Sequence, residues 1–360
     1  MKKFCFNAPF NGVSFGQVAT HLLRGFFDRK IFPDILPIGG NVDLTSQPEE
    51  KDFGEKIKGC ASSYSENHSR LTPTLKLWHI NGAMESCSKE THLLTFHELD
   101  DLTKAEKNTL SSMDKVIVTN DFSKEVLKSH DIESVKIPLA FDKYNFFHSN
   151  KSFFSDSRIT FNICGKFEHR KHHKKSIRAW VKKYGNNKDY QLQCALFNPF
   201  LSEDQNRQLF NEALDNKNYF NVQFLPFMEK NSSYNDFLNS GDIIIGMSGG
   251  EGWGLPEFQS LGIGKHSVIL NAHSYKEWAT EENSCLVEPS GKIEVYDDLF
   301  FKKGQEFNQG NIFDWTEESF LDGCERAIER TKTSKTNESG RKIKEDFTTS
   351  KMVDLVLEQL

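Results

Sequence analysis

Short runs of β-branched and aromatic residues alternate along the chain with stretches whose apolar positions recur every three to four residues. That is the pattern of parallel strands covered on both faces by helices. From the N-terminus, a strand near Lys3 to Asn7 leads into a helix from about Gly16 to Asp28. Strands follow at Leu75 to His79 and Leu93 to Phe96, then a helix from Thr103, a strand at Lys115 to Thr119, a helix at Phe122 to Ser129 and a strand at Val135 to Pro138. The stretch Lys143 to Ser157 is polar and rich in Phe, Asn and Ser, which suits a linker. The alternation then restarts with a strand at Ile159 to Cys164, a helix near Lys174 to Tyr184, a strand at Gln191 to Leu196, a helix at Glu203 to Asp215 and a strand at Val222 to Leu225. A helix at Ser232 to Asn239, a very apolar strand at Asp242 to Met247, a helix at Pro256 to Leu261 and a strand at Ser267 to Leu270 precede a helix-rich tail. The expected architecture is α/β, with two Rossmann-like doubly wound domains facing a central cleft. Residues 1–145 form the first domain, 146–157 a linker and 158–343 the second, and a C-terminal helix at about 344–360 packs back on the first. Ligands in such sheets bind outside the carboxyl ends of the strands.

The length of 360 residues fits two cores better than one, and 37% hydrophobic residues with 31 Phe exclude a disordered chain. No apolar run approaches the roughly 20 residues needed to span a bilayer. Asn7 and Pro9 interrupt what would have to be the apolar core of a signal peptide. The 7 cysteines are an odd set without CxxC pairs, which argues against a disulfide framework and a zinc ribbon and for a reducing, cytoplasmic setting. A net charge of −6 gives no global pull toward nucleic acid, so any polyanion site must be local, and Lys166 to Lys183 is strongly basic.

Three segments carry candidate chemistry. Gly249-Gly250-Glu251-Gly252-Trp253-Gly254-Leu255-Pro256 joins an apolar strand to a helix. It reads either as a glycine-rich turn or as a loop whose backbone approaches an anion at the helix start, with Glu251 accepting hydrogen bonds from sugar hydroxyls. Gly165-Lys166-Phe167-Glu168-His169-Arg170-Lys171 follows the first strand of the second half. It is either a solvated basic loop or a set of cations that neutralise a departing diphosphate, and a tract this dense could also meet nucleic-acid phosphates. Asn11-Gly12-Val13-Ser14-Phe15-Gly16 follows the first strand and is a simple βα turn or a phosphate approach in which Gly16 takes part. His169, His172 and His173 cluster without a carboxylate or cysteine at ligand spacing, so no metal site is expected.

Together these segments resemble the GT4-like retaining glycosyltransferases of the GT-B fold, whose second domain carries a "GR…K" loop and a later "EGFGLPxxE" segment. Lys166 stands where that family usually has the arginine after glycine, and Lys171 where it has its diphosphate-binding lysine. Glu251 matches the first glutamate of the family's E-x7-E motif, near the donor sugar, and Gln259 replaces the second, which usually holds the ribose. An amide still bonds hydroxyls but carries no charge. Leu77 to Asn81, Thr95 to Asp100 and Asp114 to Asn120 look like the acceptor-side strands of relatives, and Ile137 to Asp142 like their exit into the linker. Several segments are most similar to glycosyltransferases encoded by bacteriophages.

The resemblance implies a metal-independent, cofactor-free transfer with retention of configuration, in which the leaving phosphate helps deprotonate the acceptor. Lys166, Lys171 and Glu251 would act in catalysis, and Lys166, Lys171, Gly250, Glu251, Gly252, Trp253, Gly254, Leu255, Gln259 and Gly16 would bind the donor, expected to be a UDP-sugar. His79, Glu98 and Asp100 would position acceptor or sugar. The favoured acceptor is a hydroxymethylated pyrimidine in phage DNA. A polysaccharide or lipid acceptor, a nucleotide-sugar epimerase or phosphorylase and an inactive GT-B binding protein are the alternatives.

Overall fold

The computed structural model describes residues 3–154 and 157–360. A first sheet holds β1 (Cys5–Phe10), β2 (Asp34–Val42), β3 (Thr74–Leu77), β4 (Thr91–Leu94), β5 (Lys115–Val118) and β6 (Val135–Lys136) in the order β2-β1-β3-β4-β5-β6. Every pairing is parallel. Helices α1 (Ser14–Asp28), α2 (Lys51–Asn67), α3 (Lys104–Ser111) and α4 (Asp121–Ser129) connect these strands. Thr103 and Glu106 close a reciprocal capping box at the start of α3, and the Asn120 side chain caps α4, so the polar residues at these strand-to-helix turns are spent on orphan helix amides.

The second sheet repeats the plan with β7 (Ile159–Gly165), β8 (Tyr190–Leu196), β9 (Val222–Phe224), β10 (Ile243–Gly246), β11 (His266–Leu270) and β12 (Cys285–Val287), ordered β12-β11-β10-β7-β8-β9 and again parallel. Its helices are α5 (His173–Tyr184), α6 (Glu203–Ala213), α7 (Asn231–Ser240), α8 (Leu255–Gly262) and α9 (Glu317–Thr333). β10 lies at the middle of this sheet and is buried throughout, which is why it reads as a continuous apolar run. The strand order reverses between β7 and β10, and between β1 and β3 in the first sheet. The loops leaving those strands therefore open onto the ligand-binding crevice of each unit.

The expected α/β plan of two doubly wound units is present. Strands β3 and β4 end earlier than their patterns suggest, leaving His79 at the head of a single 3-10 turn and Phe96 to Glu98 on a loop. Four strands and a helix have no counterpart in the periodicity reading. β2 contains Pro37, Gly39 and Gly40, α2 buries only Phe53, Ile57 and Cys60, β12 is three residues long, and β13 (Gly291–Glu294) pairs with β14 (Asn311–Asp314) as an antiparallel hairpin. The 146–157 stretch includes residues 155 and 156, which lie outside the described residues. Its first part is tied to α7, where the Phe147 amide donates to Asn235 Oδ1 at 3.1 Å and the Ser149 amide to Asn239 Oδ1 at 2.7 Å.

After α9 the chain runs through α10 (Glu338–Arg341) and α11 (Ile343–Asp346) to α12 (Thr349–Leu357), which packs on α1. Gly25 permits that contact, since a Cβ there would lie 2.6 Å from Val353 Cγ2, and His21 Nε2 sits 2.9 Å from Thr349 Oγ1. No helix among the described residues is long and apolar enough to cross a membrane.

Candidate active site

Two loops leave the strands that flank the reversal point of the second sheet. The loop after β7 turns at Gly165 (φ 123°), passes Lys166 and ends in a 3-10 turn, His169–Lys171. His172 then holds a left-handed conformation (φ 54°), unusual for a residue with a side chain, while its Nε2 lies 2.8 Å from the Phe313 carbonyl oxygen. The loop after β10 runs from Met247 to Gly254, which is also left-handed (φ 81°), and α8 begins behind it with Pro256 in its first turn.

The two loops are joined by an ion network. Lys171 Nζ pairs with Glu251 Oε1. Arg170 donates to the Gly250 carbonyl, lies 2.7 Å from Glu168 and 3.5 Å from Glu251, and reaches Glu98 of the first unit at 3.2 Å. Lys166 lies 2.8 Å from Glu168 and stands 3.9 Å over the Phe300 ring. Three cations, Lys166, Arg170 and Lys171, thus balance three carboxylates, Glu98, Glu168 and Glu251. The side chains of Arg170, Glu168 and Glu251 are 5%, 1% and 9% exposed, so each depends on the others for the solvation it has lost. Burial would raise the Glu251 pKa, but Lys171 and Arg170 hold it well below the usual carboxylate range. Lys171 is shifted upward in turn: burial would lower it, but Glu251, with Glu168 and Glu257 behind it, together outweigh that effect. Glu98 moves upward, since burial exceeds the pull of Arg170.

The glycines serve close packing between parts of the protein itself. A Cβ on Gly250 would fall 2.3 Å from the Glu98 carbonyl oxygen, one on Gly252 2.4 Å from Phe96 Cβ, and one on Gly249 2.5 Å from the Phe313 carbonyl oxygen. Asn120 Nδ2 donates to the Gly252 carbonyl at 2.9 Å, and Thr119 Oγ1 donates to it as well. The Glu251 loop is therefore seated directly against the loops that follow β4 and β5.

The remaining expected site residues fall in different places. Trp253 is buried, its ring packing on Phe258 and Phe347. Leu255 opens α8. Gln259 is 3% exposed on α8, and its Oε1 has no hydrogen-bond partner. Gly16 lies inside α1, where a Cβ would meet the Asn11 carbonyl oxygen at 2.3 Å, so its small size serves the turn after β1. Asp100 is held by the hairpin, 2.9 Å from Lys292 Nζ and accepting the Asn311 amide at 2.7 Å, away from the ion network. His79 is exposed at one side but its ring rests against Phe15 and Trp78, and this partial burial first, with the charge of Lys166 second, pushes its pKa down to about 4.

Three buried charged residues at the centre went unselected in the sequence: Arg170 as the hub, Glu168 beneath it, and Glu257 on the first turn of α8. Glu168 and Arg170 lay within the recognised tract, and the alternation of acid and base there was the available signal. Glu257 stands two residues before the Gln259 position and would point elsewhere on a helix, so the motif gave no reason to select it.

No protein-family model and no curated protein sequence matches the chain. Solved structures do. Sucrose-phosphate synthase from Thermosynechococcus elongatus superposes with a TM-score of 0.70 at 13% identity, over 100% of this chain and 98% of that one. HepE from Anabaena, in complex with UDP and glucose, gives a TM-score of 0.65 at 14% identity over 100% and 99%. A glycosyltransferase from Rickettsia africae gives 0.65 at 13% identity over 100% and 98%. The fold is GT-B.

In this GT-B frame the cleft lies between the loops of the two sheets, and the Arg170–Glu98 pair crosses it. The hairpin β13–β14 straps the same gap. Leu99 joins Val295, Phe301 and Ile312 in a small apolar cluster, Thr103 Oγ1 donates to the Glu306 carbonyl at 2.5 Å, and Glu106 Oε1 accepts the Asn308 amide at 2.9 Å. The rest of the basic segment is neutralised on the surface of α5. Lys174, Lys175, Arg178, Lys182 and Lys183 pair with Glu212, Asp314, Asp215, Glu317 and Glu325 at 2.7, 2.5, 2.7, 2.6 and 2.8 Å.

Proposed function

We propose that the protein is a glycosyltransferase that moves a sugar from a nucleotide diphosphate donor, a UDP-sugar, to a hydroxyl acceptor. The observation that carries this reading is the Lys171–Glu251 pair at the β7/β10 reversal point, flanked by Lys166 and Arg170 and lying before the N-terminus of α8. Cations and helix-start amides so placed suit a diphosphate, whose negative charge grows as the sugar departs. Glu251 beside them suits the sugar hydroxyls. The transfer needs no protein nucleophile and no metal in this scheme. Retention follows from attack on the face that the phosphate leaves, with the phosphate taking the acceptor proton. His79 and Glu98 position the acceptor from the first unit. Closure of the cleft excludes water.

The solved complex of HepE with UDP and glucose supports the choice of donor. A hydroxymethylated pyrimidine in phage DNA stays the acceptor to test first on resemblance, although the one-to-one pairing along α5 removes the free cationic face that duplex phosphates would need. Release of UDP from UDP-glucose, with and without hydroxymethylated DNA, tests the reading. We expect release by the wild type that disappears in Lys171→Ala and Glu251→Ala. Equal release by all three proteins rejects these residues as the site, and no release or UDP binding by the wild type rejects the enzyme in favour of an inactive scaffold.

A further inference from the structure

We propose that Glu257 is a positioning residue of the donor site, held as a neutral carboxylic acid beneath the Gly252 to Leu255 turn while a nucleoside diphosphate is bound. The inference rests on the donor reading above and adds a residue to it. Glu257 is 6% exposed, and the chain around it is cut to admit its side chain. β10 ends in Gly246, where a Cβ would lie 2.6 Å from Glu257 Cγ, and a Cβ on Gly254 would lie 3.3 Å from Glu257 Oε2. The carboxyl faces Glu251 on the glycine loop, Lys171 on the turn after β7, Cys164 at the end of β7, Tyr234 on α7 and Tyr275 beyond β11. The Tyr275 ring is fully buried, and its hydroxyl has no closed hydrogen bond.

Among the described residues no cation pairs with Glu257, since the Lys171 ammonium is committed to Glu251. The Lys166, Arg170 and Lys171 charges are already balanced by Glu98, Glu168 and Glu251. An ionised Glu257 would add a fourth carboxylate to face an incoming anion. As the acid it adds no charge, and its O–H can donate. Burial first, and the Glu251 charge second, push its pKa up to about 7, so both forms are accessible near neutrality. Above that pH, donor binding draws one proton from solvent onto Glu257. Below it, none is needed. The buried histidines nearby do not share this range: burial lowers His172 and His273 to about 4 and His173 to about 3.

Two readouts separate this idea from the donor reading. UDP affinity, by calorimetry from pH 6 to 8.5, should be similar for wild type and Glu257→Gln at pH 6 and at least about tenfold weaker for wild type at pH 8.5, the loss expected when one titrating carboxyl opposes binding. A ratio that stays constant with pH overturns the proposal, and wild type that binds no UDP at any pH overturns the donor reading with it. Thermal unfolding without ligand tests the titration itself. A carboxyl whose folded pKa is raised makes the fold less stable as pH rises from the unfolded value to the folded one, so the wild-type melting point should fall relative to Glu257→Gln between about pH 4.5 and 7 and run parallel above. Parallel curves throughout also overturn it. If Glu257→Gln fails to fold, proton uptake on UDP binding by the wild type at pH 8, measured in two buffers of different ionisation enthalpy, decides: uptake near one proton supports the proposal and zero overturns it.

Discussion

Residues 166–171 and the helix behind them, 173–184, belong to one basic tract, and they behave as two kinds of matter. In the loop, Arg170 is 5% exposed and holds three carboxylates drawn from both units. On the helix, Lys182 is 72% exposed and touches one glutamate. The same ion-pair distance is worth several times more where water is excluded, and it costs correspondingly more to leave half-made. Both are rich in Lys and Arg. What separates them is depth, which is set by the reversal of strand order between β7 and β10.

Breaking the buried half should have the largest effect. Arg170→Ala leaves Glu98, Glu168 and Glu251 facing one another, and we expect a loss of about 3–5 kcal/mol in denaturant unfolding. An unchanged midpoint would show that the network is no deeper than the helix pairs. Glu251→Gln comes next. It keeps the shape of the loop but removes the charge that holds Lys171, and sugar transfer from UDP-glucose should fall about 100-fold with unchanged far-UV circular dichroism. Retention of activity would reduce Lys171–Glu251 to a structural tie. Gly252→Ala sharpens the comparison without touching a charge. Its methyl group meets Phe96, and overpacking of this kind costs about 1–3 kcal/mol, read as a lower melting point. Lys182→Ala should be smallest, within about 0.5 kcal/mol of wild type at low and high salt. A larger change would mean that the helix pairs act as a network.

The sequence disclosed the frame through strands whose burial is complete. β10 is read almost to the residue because a central parallel strand is apolar throughout, β7 because Ile159, Phe161 and Ile163 alternate with Thr160 and Asn162, and the loops after them were located with equal ease. β2 was hidden by Pro37 and its two glycines, and α2 by an apolar face of three residues. The hairpin was invisible for another reason: Val295, Phe301 and Ile312 find their apolar partner in Leu99, far earlier in the chain, and no local period encodes that. Within the site, Lys171 and Glu251 emerged from motif resemblance, whereas Arg170 as hub and Glu257 as buried acid required knowing which way each side chain turns. The glycines illustrate the limit most directly. Their need for close approach was legible, but what approaches was not, and at Gly250 and Gly252 it is the first unit of the same chain.

The chain crosses between the two units a second time near its end, and the crossings run side by side. The Phe141 amide donates to the Phe347 carbonyl at 2.8 Å, and the Phe258 ring packs against both residues. A single connecting strand would act as a swivel, free to turn about its own length. Two strands bonded together behave as a door on paired pins. Tied at two points rather than one, the units have fewer ways to turn against each other, and the pairing of the Glu98 loop with Arg170 inherits that restraint.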